Sequence, residues 1–181
     1  MTGQEWLTYP DPMPMLEFVR GKASERKLQL LVVACCRRIW NLLADERSRR
    51  GVLASERYAD GTATRAELHR AGNDASAVTL NFGRMASVCA TDAALYTTGP
   101  SRYLFDARNA GCNPLTNAAL AVGGNVRNDA FIAERSQRAL LLRDIFGNPF
   151  VPSPPLSPVS VRRIAMRLLA KCLRPANRAA G

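Results

Sequence analysis

The segment that decides the fold reads SERKLQLLVVACCRRIWNLL and covers residues 24–43. It predicts a helix, because its apolar residues recur at helical spacing, as in Leu28, Leu31, Val32, Cys35, Ile39 and Leu42. Further leucine, valine and alanine residues extend the apolar surface almost all round this helix. A helix with so wide an apolar belt belongs in the middle of a bundle, where other helices cover most of its sides.

The flanking sequence predicts more helices. Alanine is abundant, β-branched runs are short, and strict alternation of apolar and polar residues is nearly absent. Capping and breaking residues suggest these helices: Asp11 to Arg20, Asp45 or Ser48 to Ala59, Thr64 to a break at 72–74, 75–97, 101–110, 113–122, and Asn128 or Asp129 to Phe146. We therefore expect an all-α protein, an irregular helical bundle of about seven or eight helices.

A proline-rich segment follows the bundle. Five of the eleven prolines lie in residues 148–158, which predicts a semi-rigid, extended linker. Ser160 can cap a last helix with one apolar and one basic face. The expected organisation is a helical bundle domain over 1–149, a linker over 150–159, a basic amphipathic helix over 160–174 and a disordered end over 175–181.

The charge of the chain is unevenly distributed. Lysine and arginine number 25 against 15 acidic residues, a net charge of +10, and only three of the 25 are lysine. Residues 150–181 hold six basic and no acidic side chains, so they supply more than half of the excess. Such an asymmetry indicates a basic tail with an anionic partner.

The basic face of the last helix is the candidate site for an anion or a partner: Arg162, Arg163, Arg167, Lys171 and Arg174. Such a helix can bind a protein partner, a nucleic acid or an anionic membrane surface, and its apolar face can also pack back on the bundle. It has no aromatic residue, which disfavours single-stranded nucleic acid and strong membrane binding. The partner stays open at this level.

Arg37 and Arg38 interrupt the apolar belt of the 24–43 helix. A buried arginine must find carboxylates or carbonyls, because an unpaired buried charge is costly. We expect a structural arginine–carboxylate network that joins the first helices to the helix carrying Arg143 and Asp144. A phosphate or nucleic-acid pocket is the alternative. The available anions are Glu17, Asp45, Glu56, Asp60 and Asp144.

The sequence offers little for catalysis or metal binding. His69 is the only histidine, and the five cysteines show no spacing typical of a zinc site. We therefore expect no cofactor, no metal and no enzymatic activity. An odd number of cysteines without a signal peptide favours free thiols in a reducing cytoplasm. No apolar run approaches the roughly 20 residues needed for a transmembrane helix.

Five short motifs resemble those of a large paralogous family of helical bacterial proteins: EWL at 5–7, PMLEF at 14–18, ACCRRIW at 34–40, ERYADG at 56–61 and LLRDIFGNPF at 141–150. This family has an alanine-rich helical middle of variable length and no established activity. The resemblance thus implies a helical fold and transfers no function. Family members continue with Arg-Pro after the last motif, whereas Val151 and the proline run follow here.

These observations favour a non-enzymatic helical interaction or scaffold module. The alternative is a nucleic-acid-binding protein that uses the arginine-rich C-terminal helix.

Overall fold

A computed structural model describes residues 1–78, 117, 120–122 and 129–151 of the chain. These residues form six α-helices and a short 3₁₀ helix at Trp40–Leu42, with no strand among them. The α-helices are α1 (Gly3–Thr8), α2 (Pro12–Val19), α3 (Glu25–Arg38), α4 (Glu46–Ala59), α5 (Arg65–Ser76) and α6 (Asp129–Phe146). The all-α prediction is confirmed. The predicted linker from Pro152 onward, the basic helix and the helices expected between 79 and 116 lie outside the described residues.

The central position predicted for α3 agrees with its burial. Every residue from Leu28 to Cys36 is buried, so this helix is covered on all sides along its middle turns. It packs against α4 and α6, while α6 also packs against α2 and α4 packs against α5. Burial of so many apolar side chains is the main favourable term that holds such a bundle together.

The predicted capping residues begin the helices as expected. Asp11, Ser24, Asp45 and Thr64 each accept a hydrogen bond from a backbone N–H in the first turn of the helix that follows. Gly147 follows the last turn of α6 with a φ of 68°, a left-handed backbone conformation that residues other than glycine rarely adopt. Local capping chemistry therefore sets most helix ends.

Two helix bounds differ from the predictions, and one helix was not predicted. The helix predicted over 24–43 ends at Arg38 and is followed by a tighter 3₁₀ turn. Ile39 and Leu43, on either side of this turn, are both buried. The predicted break at 72–74 is wrong: α5 continues to Ser76, because a helix tolerates one glycine for about 1 kcal/mol and Ala75 is fully buried. Helix α1 was missed, although Thr2 and Glu5 form a complete capping box.

None of the helices within residues 1–78 and 129–151 has the length and apolar character that a membrane-crossing helix needs.

Candidate protein-interaction site

Arg37 joins the central helix α3 to α4. Its guanidinium group donates a hydrogen bond to the carboxylate of Glu56, which is buried on α4. The same guanidinium lies over the ring of Trp40, with its Cζ 4.5 Å from the ring centroid, a cation–π geometry. A second polar contact between these helices runs from the Gln29 amide to the Ser55 hydroxyl. Of the expected acidic partners, the structure thus brings Glu56 to Arg37.

Arg38 joins α3 to α6 through a carboxylate that the sequence analysis did not single out. Its Nε and one terminal nitrogen lie 2.7 and 2.8 Å from the two oxygens of Glu134. This two-point geometry is the strongest form of an arginine–carboxylate pair. Arg138, one turn further along α6, donates to the same carboxylate and, at 3.0 Å, to the backbone carbonyl of Glu134. The spacing of Glu134 and Arg138 was the only local sequence signal for this pairing.

Among the described residues, the cluster around Glu134 holds more positive than negative charge. Two guanidinium groups, those of Arg38 and Arg138, share one carboxylate, and Arg138 is 0% exposed. The Nε and one terminal nitrogen of Arg138 have no hydrogen-bond partner in the described part of the chain. The neighbouring thiol adds no negative charge, since burial raises the pKa of Cys35 to about 11. Arg138 therefore accounts for most of the desolvation free energy in this cluster that hydrogen bonds do not offset.

Glu134 stays ionised in this setting. Burial by itself raises the pKa of a carboxyl group, but the hydrogen bond from Arg38 and the charges of Arg138 and Arg38 outweigh it. The net result is a pKa for Glu134 below its ordinary value. The folded state consequently favours the carboxylate over the neutral acid.

The other expected members of the network have different partners. Asp45 binds Arg47, two residues away, and these contacts hold the pKa of Asp45 near 2. Asp60 lies 3.9 Å from Arg26. Arg143 donates hydrogen bonds to the backbone carbonyl oxygens of Trp6 and Tyr9, and Asp144 is exposed on α6. Asp45, Asp60 and Arg143 thus have partners other than Arg37 and Arg38 in the contacts described, a choice of partners that the sequence analysis left open.

The basic residues expected to bind an anion or a partner lie outside the described residues: Arg162, Arg163, Arg167, Lys171 and Arg174. The single histidine, His69, is exposed on α5 and lies 3.4 Å from the Nε of Arg65. Across residues 1–78 and 129–151, no three histidine, cysteine or acidic side chains are placed to hold a metal ion.

Hydrogen bonds attach the end of α6 to the beginning of the chain, and we call this set of contacts the clasp. The indole Nε1 of Trp6 donates to the carbonyl oxygen of Gly147 at 2.9 Å, although 141 residues separate them. In the reverse direction, Arg143 donates to the carbonyl oxygens of Trp6 at 2.7 Å and Tyr9 at 2.5 Å. Trp6 is fully buried, so this clasp fixes the position of α1 on the bundle.

Stacked rings continue the clasp beyond α6. The ring of Phe150 stacks on that of Phe18 in α2, with centroids 5.0 Å apart and planes 19° from parallel. Phe150 also packs over Gly3, and the ammonium group of Lys22 lies 3.9 Å from the centre of the Phe18 ring. The turn after α6 is therefore attached to both α1 and α2.

The clasp leaves an open cavity and several exposed apolar side chains at this end of the bundle. The cavity has a volume of about 420 Å³, and its described lining residues are Met1, Glu5, Tyr9, Pro14, Glu17 and Phe18. Tyr9 lines this cavity and is 40% exposed, Phe150 stacks on the lining residue Phe18 and is 43% exposed, and Val151 follows Phe150 with 56% of its surface exposed. Protein-interaction sites typically combine exposed apolar side chains beside a cavity with a surrounding rim of polar residues. We name this surface the clasp surface.

A second open cavity, of about 510 Å³, lies between the beginning of α3 and the end of α4. It is lined mainly by polar and small residues, among them Glu25, Arg26, Tyr58 and Asp60. Arg26 already binds the carbonyl of Ala59 at 2.7 Å. Its described lining includes three charged residues, of which Arg26 and Asp60 already lie 3.9 Å apart, and this makes it the weaker candidate for an apolar contact with a partner.

Comparison with known proteins gives no significant match: no protein-family model, no curated protein and no solved structure is similar to this chain. The resemblance of its five motifs to a bacterial family stays a prediction. The functional argument therefore rests on the residues of this chain and their arrangement.

Replacement of Glu134 is expected to destabilise the bundle more than replacement of Arg138. Glu134→Leu leaves two guanidinium groups buried without their carboxylate, and we expect a loss of about 3–5 kcal/mol in the free energy of unfolding. Arg138→Met removes the surplus charge together with its unpartnered nitrogens, so the loss should be clearly smaller. Urea unfolding of both variants measures the difference, and equal losses would contradict this account.

The stabilising effect of Glu134 is expected to depend on pH. Because its pKa is lowered in the folded state, its contribution is fully present well above 4.5, the ordinary value, and is lost as pH falls through the folded-state pKa. The stability gap between the wild type and Glu134→Gln should therefore shrink below about pH 4.5. Glu46→Gln, at an exposed position, provides the control, because its stability should differ little from that of the wild type at every pH. A stability difference between the wild type and Glu134→Gln that is constant from pH 7 to pH 3 would refute the pairing.

Proposed function

We propose that this protein is a non-enzymatic helical interaction module that binds another protein through the clasp surface. The observation that carries this proposal is the open cavity with its exposed apolar neighbours, at a place where three helices are tied together. Pre-formed surfaces of this kind bind with a low ordering cost, because the free protein already holds the bound geometry.

The five family-like motifs support a common architecture. Trp6, Phe18, Arg143 and Phe150 come from three of these motifs and all take part in the clasp. We propose that the bacterial family whose motifs these resemble uses the same clasp. We also propose a reducing, cytoplasmic location, which suits the buried thiols of Cys35 and Cys36.

Site-specific photo-crosslinking in the cells that make the protein tests the interaction surface. A photoreactive residue at Tyr9, which lines the cavity and is 40% exposed, should yield adducts with another polypeptide. The control is Leu53 on α4, which is 38% exposed and outside this surface. Adducts from Leu53 and none from Tyr9 would contradict the proposal, as would no adduct from either position.

The alternative function is nucleic-acid or anionic-membrane binding by the basic tail. It is favoured by one observation, the six basic and no acidic side chains in residues 150–181. The described residues, in contrast, hold 15 basic and 13 acidic side chains, so this part of the bundle carries little net charge. The tail would thus have to supply most of the electrostatic attraction.

Salt dependence separates the two functions. We expect retention of the chain on duplex DNA or anionic vesicles through its tail to fall steeply as the salt concentration rises. Binding of the basic side chains releases counterions from the anionic surface, and added salt opposes this release. Glutamine at the five positions Arg162, Arg163, Arg167, Lys171 and Arg174 should abolish that retention. If the wild-type chain is not retained at low salt, or the five-site variant is retained equally well, the tail function is wrong.

A further inference from the structure

Apolar side chains occur all round helix α6, including the side that is exposed. Ile132 and Leu140 expose 53% and 48% of their surface. They are eight residues apart, a spacing that places two side chains in the same apolar stripe of a helix. A helix that is apolar on every side is typically covered on every side, so this exposed stripe is a surface on which another helix can pack.

The exposed side of α6 also has a distinct charge. It carries two acidic and no basic residues, and we name it the outer face of α6: Asp129, Ala130, Ile132, Ala133, Gln137, Leu140 and Asp144. The arginines of this helix point elsewhere, since Arg138 is fully buried and Arg135 and Arg143 bind groups on other elements. The outer face therefore combines an apolar stripe with an acidic residue towards each end.

We propose that the outer face of α6 binds the basic amphipathic helix expected over residues 160–174 of the same chain. This contact is independent of the function proposed for the clasp surface.

The apolar spacing of this segment matches that of the outer face. Ile164 and Cys172 are eight residues apart with Leu168 midway between them, and eight residues of helix rise about 12 Å. Ile132 and Leu140 are separated by the same rise. Because the chain leaves α6 at its C-terminal end, the segment returns antiparallel, with Ile164 beside Leu140 and Cys172 beside Ile132.

The linker favours this segment over a separate partner. Residues 152–159 are rich in proline, and an extended proline-rich chain covers about 3.1 Å per residue, so they reach about 25 Å. Helix α6 has 18 residues and a length of about 27 Å. A segment on so short a linker has an effective concentration in the millimolar range, at which a weak contact stays formed.

Charge selects the same segment. Residues 150–181 hold six basic and no acidic side chains, whereas residues 79–116, 118–119 and 123–128 together hold four basic and two acidic ones. In the antiparallel arrangement Arg162 approaches Asp144, and Arg174 approaches Asp129. Exposed ion pairs are weak, so the apolar contact supplies most of the binding and the charges add to it.

This contact bears on what the tail can bind. A packed segment withholds its apolar side from a lipid surface, whereas Arg163 and Arg167, on its opposite side, stay accessible to a phosphate group.

Photo-crosslinking within the purified full-length chain tests the contact. With a photoreactive residue in place of Ile132, mass spectrometry of the digested monomer should find adducts with residues 160–174. The control is Leu53 on α4, which is 38% exposed and should give no adduct with this segment. Adducts of position 132 only with other parts of the chain, only with a second copy, or with nothing would overturn the proposal.

Two neighbouring positions in the tail provide a matched pair of variants. Leu168→Gln removes the central apolar contact, so the yield of the adduct from position 132 should fall about tenfold. Arg167→Gln changes a side chain on the opposite side of the segment and should alter the yield little. Both variants leave the sequence of the bundle unchanged, so a lost adduct reports the contact itself. Equal yields from the two variants would contradict the proposal.

Discussion

One carboxylate, that of Glu134, holds the central helix to the last described helix by accepting hydrogen bonds from two guanidinium groups. Arg38 comes from α3 and Arg138 from α6, so the shared charge fixes both the distance and the rotation of these helices. Apolar packing alone specifies such a register less strictly, because many side-chain arrangements bury similar areas. The position of α6 then decides where Arg143 and Gly147 meet α1, and with it the shape of the clasp surface.

Internal pairing of arginine has a consequence for function. The described residues are nearly balanced in charge, and most of the arginines that face the core bind carboxylates or carbonyls of the same chain. In the part of the bundle that the structure describes, an arginine-rich composition therefore leaves only a small excess of positive charge. What remains for a partner at the clasp surface includes the exposed apolar side chains of Tyr9 and Phe150, which favours a protein ligand over a phosphate backbone.

The clasp surface is assembled from the two ends of the described sequence. Trp6 and Gly147 are far apart in the chain, yet their hydrogen bond brings α1 against the end of α6. Phe150 then stacks on Phe18 and adds the following turn to the same surface. Because hydrogen bonds and packed rings hold each wall, the cavity exists before any ligand arrives, and a partner need not order it.

The sequence by itself determined the helical class, the central position of α3 and most helix ends, since these depend on apolar spacing and on capping residues such as Ser24 and Asp45 within one turn. It also required that Arg37 and Arg38 find acidic partners. Which partners they found was decided by tertiary structure alone. Arg38 binds Glu134, 96 residues away, while Asp45 is held by the neighbouring Arg47. Many carboxylates have the same chemistry, and only the packing of the helices decides which one lies within reach.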